Sequence, residues 1–285
     1  MKTTTQFLFG AAFLLTTILP ITASAQIETV GGSPSSAQIV VEQFITGVPD
    51  ADDTFAFDLG QIEVGGDEDD FLVVGVAFEG SGLIPELNVN GSLVGEPDVQ
   101  SENDGIQTAI FVIDDVSGLV DLRFETFFEI PSPGFYAASL SGVGGIETSG
   151  VDNSPGGGSV LSSTLTGVGE GSFVLGVYSD QQGTDSNISR SGNDLPEVSN
   201  FPGSNNSIGG ELVGSVVAGF GTGEDLEVEF NDSASSVQRT NNPGFVNRSN
   251  FSFVSLTPAS LAVPEPSTVI VLAFAGLAAT TRRRR

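Results

Sequence analysis

Between residues 38 and 256 the chain is built from short runs, apolar or alternating, separated by Gly, Asn, Asp, Ser and Pro. Apolar positions almost never recur at the three-to-four-residue spacing of a helix, so the pattern predicts antiparallel strands. The runs fall at 38–44, 54–59, 71–78, 86–90, 108–113, 120–128, 135–140, 159–166, 172–178, 213–220, 226–230 and 250–256. About twelve strands over this length predict an all-β protein, a single antiparallel β-sandwich of the jelly-roll or Ig-like kind. The run FLVVGVAF, Phe71 to Phe78, is apolar at consecutive positions and reads as a central strand covered on both faces. In ELNVNGSLV, Asn90-Gly91 sits between alternating apolar residues, the pair that suits a type I′ hairpin. Residues 179–210 are polar, rich in Asn and Ser and interrupted by Pro196 and Pro202, which predicts a long surface excursion. No internal repeat stands out above strand-level similarity.

Both ends depart from this grammar. The first 26 residues, MKTTTQFLFGAAFLLTTILPITASAQ, combine Lys2, an apolar run, Pro20 and the small-residue triplet Ala23-Ser24-Ala25. That is the layout of a secretory signal peptide, with Ala23 and Ala25 marking cleavage before Gln26 and export through the Sec machinery expected. At the other end VPEPSTVIVLAFAGLAATTRRRR places two prolines around a glutamate, then an apolar stretch, then Arg282, Arg283, Arg284 and Arg285. Residues 267–281 are shorter than the roughly 20 that span a bilayer comfortably, but terminal Ser and Thr and snorkelling arginines allow a thin crossing. The arginine cluster would stay on the cytoplasmic side as the membrane stop, leaving the body outside the inner membrane. Prolines at 264 and 266 cannot continue a helix, so the peptide just above the membrane is expected to be extended and accessible.

Pro264-Glu265-Pro266, the apolar stretch and the terminal arginines together resemble the PEP-CTERM sorting signal of exported bacterial proteins. The resemblance covers about 23 residues. It implies export in a Gram-negative bacterium, recognition of Pro264, Glu265 and Pro266 by a membrane exosortase, and delivery to the cell surface or an exopolysaccharide matrix. The order DFLVVGVAFEGSG, NVNGSLV, FYAASLSGV, GSFVLGVYS is similar to modules of secreted bacterial β-sandwich proteins. The expected organisation is a signal peptide at 1–25, a sandwich at 26–257, a linker at 258–263 and the sorting signal, with its transmembrane helix, at 264–285.

Charge and absences narrow the chemistry. Of nine basic residues only Arg123, Arg190, Arg239 and Arg248 lie between residues 26 and 263, against 35 acids, a net of −31. Such a body repels nucleic acid and anionic surfaces and attracts divalent or polymeric cations. The chain has no Cys and no His, which removes disulfides, thiolate chemistry, the usual general base and the commonest metal ligand. The densest acidic run, 67–70, precedes a central strand, and Asp67, Asp69 and Asp70 are the candidate ligands for Ca²⁺, an ion that takes six to eight oxygens. Asp50, Asp52, Asp53, Asp114, Asp115 and the 180–185 stretch are weaker candidates of the same kind. Paired carboxylates could also hydrolyse glycosides without His or Cys. With no Trp and two Tyr, however, the chain lacks the aromatic platforms that sugar sites stack against. The sequence therefore predicts a non-catalytic surface or matrix protein with no resident cofactor, the alternatives being a polysaccharide-binding module and a carboxylate-pair glycoside hydrolase.

Overall fold

The computed structural model describes residues 38–47, 54–80, 86–103, 105–130, 133–154, 160–182, 188–190, 195, 197–205, 211–232 and 249–260. Their ordered elements are strands. The first half supplies β1 (Val40–Gly47), β2 (Thr54–Val64), β3 (Phe71–Glu79), β4 (Glu86–Val89), β5 (Ser92–Leu93), β6 (Val99–Asn103), β7 (Ile106–Ile113), β8 (Gly118–Ile130) and β9 (Gly134–Ser141). The second supplies β10 (Val143–Ser154), β11 (Val160–Leu165), β12 (Phe173–Gln182), β13 (Ile188–Arg190), β14 (Glu197–Asn205), β15 (Glu211–Phe220), β16 (Leu226–Asp232) and β17 (Ser249–Pro258). All pairings are antiparallel.

The strands form four sheets, ordered β1-β9-β3-β7-β6, β2-β8-β4-β5, β10-β17-β12-β15-β14 and β11-β16-β13. Replacing β1, β9, β3, β7, β6 by β10, β17, β12, β15, β14 turns the first order into the third, and β2-β8-β4 likewise becomes β11-β16-β13. The chain therefore holds two consecutive sandwiches of one topology. Their registers agree as well: Phe71 pairs with Leu140 in the first, and Phe173 with Leu256 in the second. Phe135, Ser139 and Leu140 of β9 recur at the same spacing as Phe251, Ser255 and Leu256 of β17. This corrects two expectations, the single sandwich and the absence of a repeat. The repetition lies in strand order and pairing, which a two-residue alternation of generic apolar side chains does not spell out.

Three apolar layers hold the stack together. One lies between the β2-β8-β4-β5 sheet and the outer face of β3, with Phe57, Ile62, Leu122 and Phe124 meeting Leu72, Val74 and Phe78. The central layer joins the two five-stranded sheets, Val73, Ile110 and Leu140 meeting Leu175, Val216 and Leu256. The third packs Leu161, Val228 and Phe230 onto Val174, Val217 and Phe251. Both five-stranded sheets are thus covered on both faces, which explains why β3 is apolar at consecutive positions and buried along nearly its whole length. Across the central layer β6 lies over β10 and β17, and β1 lies over β14, an arrangement close to a two-fold between the repeats.

Polar side chains fix the far end of that layer. Asn250 donates through Nδ2 to the Ile106 carbonyl at 2.7 Å and accepts from Ser101 Oγ at 3.2 Å. Thr108 and Ser252 share a hydroxyl hydrogen bond of 2.7 Å. Buried amide and hydroxyl groups left without partners would cost about 1–3 kcal/mol each, so these bonds specify how the sheets meet. Tyr136 lies across Gly75 of the neighbouring strand, where a Cβ would stand 2.0 Å from the ring, and stacks on Phe44 at 5.9 Å. Burial between the sheets pushes the Tyr136 phenol up and keeps it neutral.

The expected hairpin is present: Asn90 and Gly91 have φ of 52° and 77°, and β4 pairs with β5 around them. The expected surface excursion at 179–210 instead carries β13 and β14, the latter an edge strand whose register shifts around Pro202. The expected signal and transmembrane helices lie outside the described residues, and among those described no helix is long and apolar enough to cross a membrane.

Leu140 and Leu256 occupy equivalent positions, both fully buried in the central layer. Leu140→Ala and Leu256→Ala are each expected to lower unfolding stability by about 2–5 kcal/mol in urea titrations. A near-neutral result at either position would contradict the face-to-face packing of the repeats.

Candidate functional site

The body's functional geometry is set at one end of the sheets. Val143 pairs with Pro258, Phe173 with Phe220, Leu72 with Ile113 and Val40 with Ser141, so the turns 65–70, 114–117, 142, 166–172 and 221–225 converge there. Gly142 joins the repeats as a one-residue connection at φ 73°, and a Cβ at that position would meet the Gln38 carbonyl at 2.6 Å. Next to it the two sheets are tied by the Val143 N–H donating to the Asp69 carbonyl at 2.9 Å. The Ala259 N–H donates to the Gly142 carbonyl at 2.7 Å, and the chain leaves the body there toward residues 264–285.

Glu147 braces this exit. Its Oε2 accepts from the Gly169 N–H at 3.0 Å and from Ser255 Oγ at 2.9 Å, joining β10, the β11–β12 loop and β17. Partial burial pushes the carboxyl up, but hydrogen bonds from the Gly169 N–H and the Ser172 and Ser255 hydroxyls outweigh it, leaving the group below its ordinary range. Nothing in the sequence marked Glu147, which lies in a Gly-rich segment without strand character.

The structure separates the three candidate calcium ligands. Asp70 is buried and turned back on its own loop: its Oδ2 accepts from the Asp67 N–H at 2.8 Å, and its N–H donates to the Asp67 carbonyl at 3.1 Å. Asp67 is exposed and Asp69 half-buried. Asp67 and Glu68 instead face Asp114, Asp115 and Ser117 across a polar cleft of about 400 Å³. Among the described residues no group of three or more acidic side chains is placed to hold a metal ion. The cleft thus joins two acidic turns that sequence reasoning had considered separately. Asp180, from the weaker set, is buried and accepts from Tyr178 Oη at 2.9 Å, a role in the core. Asp50, Asp52, Asp53, Ala23, Ala25, Pro264, Glu265, Pro266 and Arg282 to Arg285 lie outside the described residues.

These features define a class: an antiparallel all-β body, stacked in layers, whose last described strand precedes residues 264–285 in the chain. The family described as PEP-CTERM protein-sorting motif matches residues 262–285, the stretch that contains Pro264, Glu265 and Pro266. The chain carries that motif, which indicates an exported, C-terminally membrane-anchored precursor processed by an exosortase. No curated protein matches the chain. No solved structure matches it either.

Two predictions follow from the braces at the tail exit. Because Glu147 is held below its unfolded value, its contribution is present above the ordinary carboxylate range, about pH 4.3, and is lost as pH falls through the lower folded value. Glu147→Gln should therefore lower the melting temperature most in the neutral region, with the difference from the parent protein shrinking as pH falls, so that the acid limb is flatter. Asp70→Ala frees the Asp67 N–H and should cost about 1–2 kcal/mol in denaturant unfolding.

Proposed function

We propose that the protein is an exported, non-catalytic building element of the cell surface or extracellular matrix, carried to its place by the C-terminal motif. The observation that supports this most is the joining of that motif to a rigid, highly acidic body. The motif supplies the address. The body supplies a soluble anionic block whose like charges keep neighbouring copies apart and whose counterions can bridge it to other polyanions. Its polar cleft at residues 66–68 and 114–117 has Val116 as its apolar lining residue and no aromatic platform, which favours solvated acids over a sugar subsite. Calcium acts in this reading as a diffuse counterion, with the acidic turns as its densest attractors.

Replacing Pro264, Glu265 and Pro266 together by alanine tests the sorting half. Intact mass of the exported protein should show a shortened wild-type chain and a variant that keeps residues 264–285 in the membrane fraction. Unaltered mass and location would mean that the motif is not read. The counterion reading predicts that millimolar Ca²⁺ raises the melting midpoint of the protein only as much as an equal ionic strength of Mg²⁺ does. A Ca²⁺-selective rise would point to a built site instead.

A further inference from the structure

The length of the tail, measured against the body, determines which surface of the precursor meets the bilayer. Ala259 donates to the Gly142 carbonyl, and among the described residues the body ends at Ser260; Ala259 lies five residues before Pro264 and ten before Val269, where the apolar stretch begins. Ten residues reach at most about 35 Å even when fully extended. Strand β17 has 10 residues and β10 has 12, and at about 3.3 Å per residue the sheets run for roughly 33–40 Å from the tail exit to the opposite end. A tail doubling back along the body would be taut over its whole length before the far end could approach the membrane. Tail and sheets are comparable in length, so a relaxed tail keeps the far end away from the membrane and leaves the exit end nearest to it.

We infer that the end of the body formed by turns 65–70, 114–117, 142, 166–172 and 221–225 is the membrane-facing surface of the anchored precursor, with the phospholipid bilayer as its neighbour. The inference rests on the reading of residues 264–285 as a membrane-anchored sorting signal. One further observation supports that neighbour and a second sets its distance. Hydrogen bonds lock the exit itself, Ala259 to Gly142 and Glu147 to Gly169 and Ser255, so β17 cannot lengthen the tether by fraying cheaply. The turns at this end also carry nine Asp or Glu and no Lys or Arg, of which Asp67, Glu68, Asp114, Asp115, Glu224 and Asp225 are among the exposed. Anionic headgroups repel such a surface over a Debye length of about 8 Å at physiological salt. The tether pulls this end toward the membrane and the charge holds it off.

The chain contains no cysteine, so single-cysteine labels report one place each. Full-length precursor bearing a fluorophore at Ser117→Cys, Thr222→Cys or Asn153→Cys is reconstituted into phosphatidylcholine vesicles containing a headgroup-nitroxide lipid. Ser117 and Thr222 are exposed at the tail exit, whereas Asn153 is exposed near the opposite end, paired with Asn250. Quenching should be several-fold stronger at 117 and 222 than at 153. Equimolar phosphatidylglycerol should weaken it at low salt, and added salt should restore it. Inserting a long Gly-Ser segment after Ser260 should bring the three labels to similar quenching. Equal or reversed quenching in the unextended chain would overturn the orientation. So would labels at 117 and 222 that are shielded in native membranes yet open in lipid vesicles, which would make a membrane protein the neighbour. Failure of the precursor to float with the vesicles would remove the anchor reading itself.

Discussion

Burial of two five-stranded sheets against each other is the constraint on which the rest of this structure depends. Val73, Ile110 and Leu140 on one side and Leu175, Val216 and Leu256 on the other lose all contact with water, and each repeat alone would expose that face. A two-layer sandwich leaves one face of each sheet free for solvent, so its strands alternate. Here β3 and β12 cannot alternate, because a second sheet covers each of them from behind. The protein behaves as a dimer of sandwiches written into one chain, with Gly142 as the whole connection between partners. Such a short link removes nearly all freedom in how the repeats dock, and the Asn250, Ser101, Thr108 and Ser252 hydrogen bonds select the remaining register.

That constraint also explains which parts of the fold were legible in the sequence. Strands carrying concentrated apolar content were visible, and their bounds agree with the structure to within a few residues: β3, β7, β9, β12, β15 and β17 all fall where the runs predict. The Asn90-Gly91 turn was visible because only a few residue pairs adopt two consecutive positive φ angles. Several strands at the sheet edges were not, although the edge strands β1, β2 and β11 do fall on predicted runs. β6, β10 and β14 read VQSEN, VGGIETSGVDNS and EVSNFPGSN, with too many Gly, Asn and Ser for a strand signal, and they are strands because a neighbour supplies the pairing. The duplication stayed hidden for a related reason: what repeats is the order of pairing, while only a few side chains, such as Phe135 and Phe251 or Leu140 and Leu256, repeat with it.

Legibility of the functional residues was divided in the same way. The tail could be read from sequence because proline, an apolar run and arginines act through local chemistry, independent of the body. The acidic turns were visible as charge but not as geometry. Asp67, Asp69 and Asp70 are neighbours in the chain, yet Asp70 caps its own turn and Asp67 faces Asp114 and Asp115 of the β7–β8 connection. Consecutive carboxylates diverge unless the backbone turns sharply between them, so a run of acids says more about solvent and counterions than about a coordinated ion. Glu147, whose role appears only when β10, β17 and the β11–β12 loop are assembled, had no signature at all.

β17 links architecture to delivery. It is the last strand of the body in chain order, yet it sits between β10 and β12 and contributes Val254 and Leu256 to the central layer, so the second repeat closes only after the final body segment has arrived. The segment that completes the fold is then continuous with the segment that directs sorting. The most direct test of this account is native-state hydrogen exchange of the full chain, read by mass spectrometry across β3, β9, β12 and β17. The account predicts that amides of all four strands exchange together through one global opening, with equal protection in both repeats. Two separate protection classes, one for β3 and β9 and another for β12 and β17, would contradict it, because the repeats would then be independent sandwiches rather than halves of one buried layer.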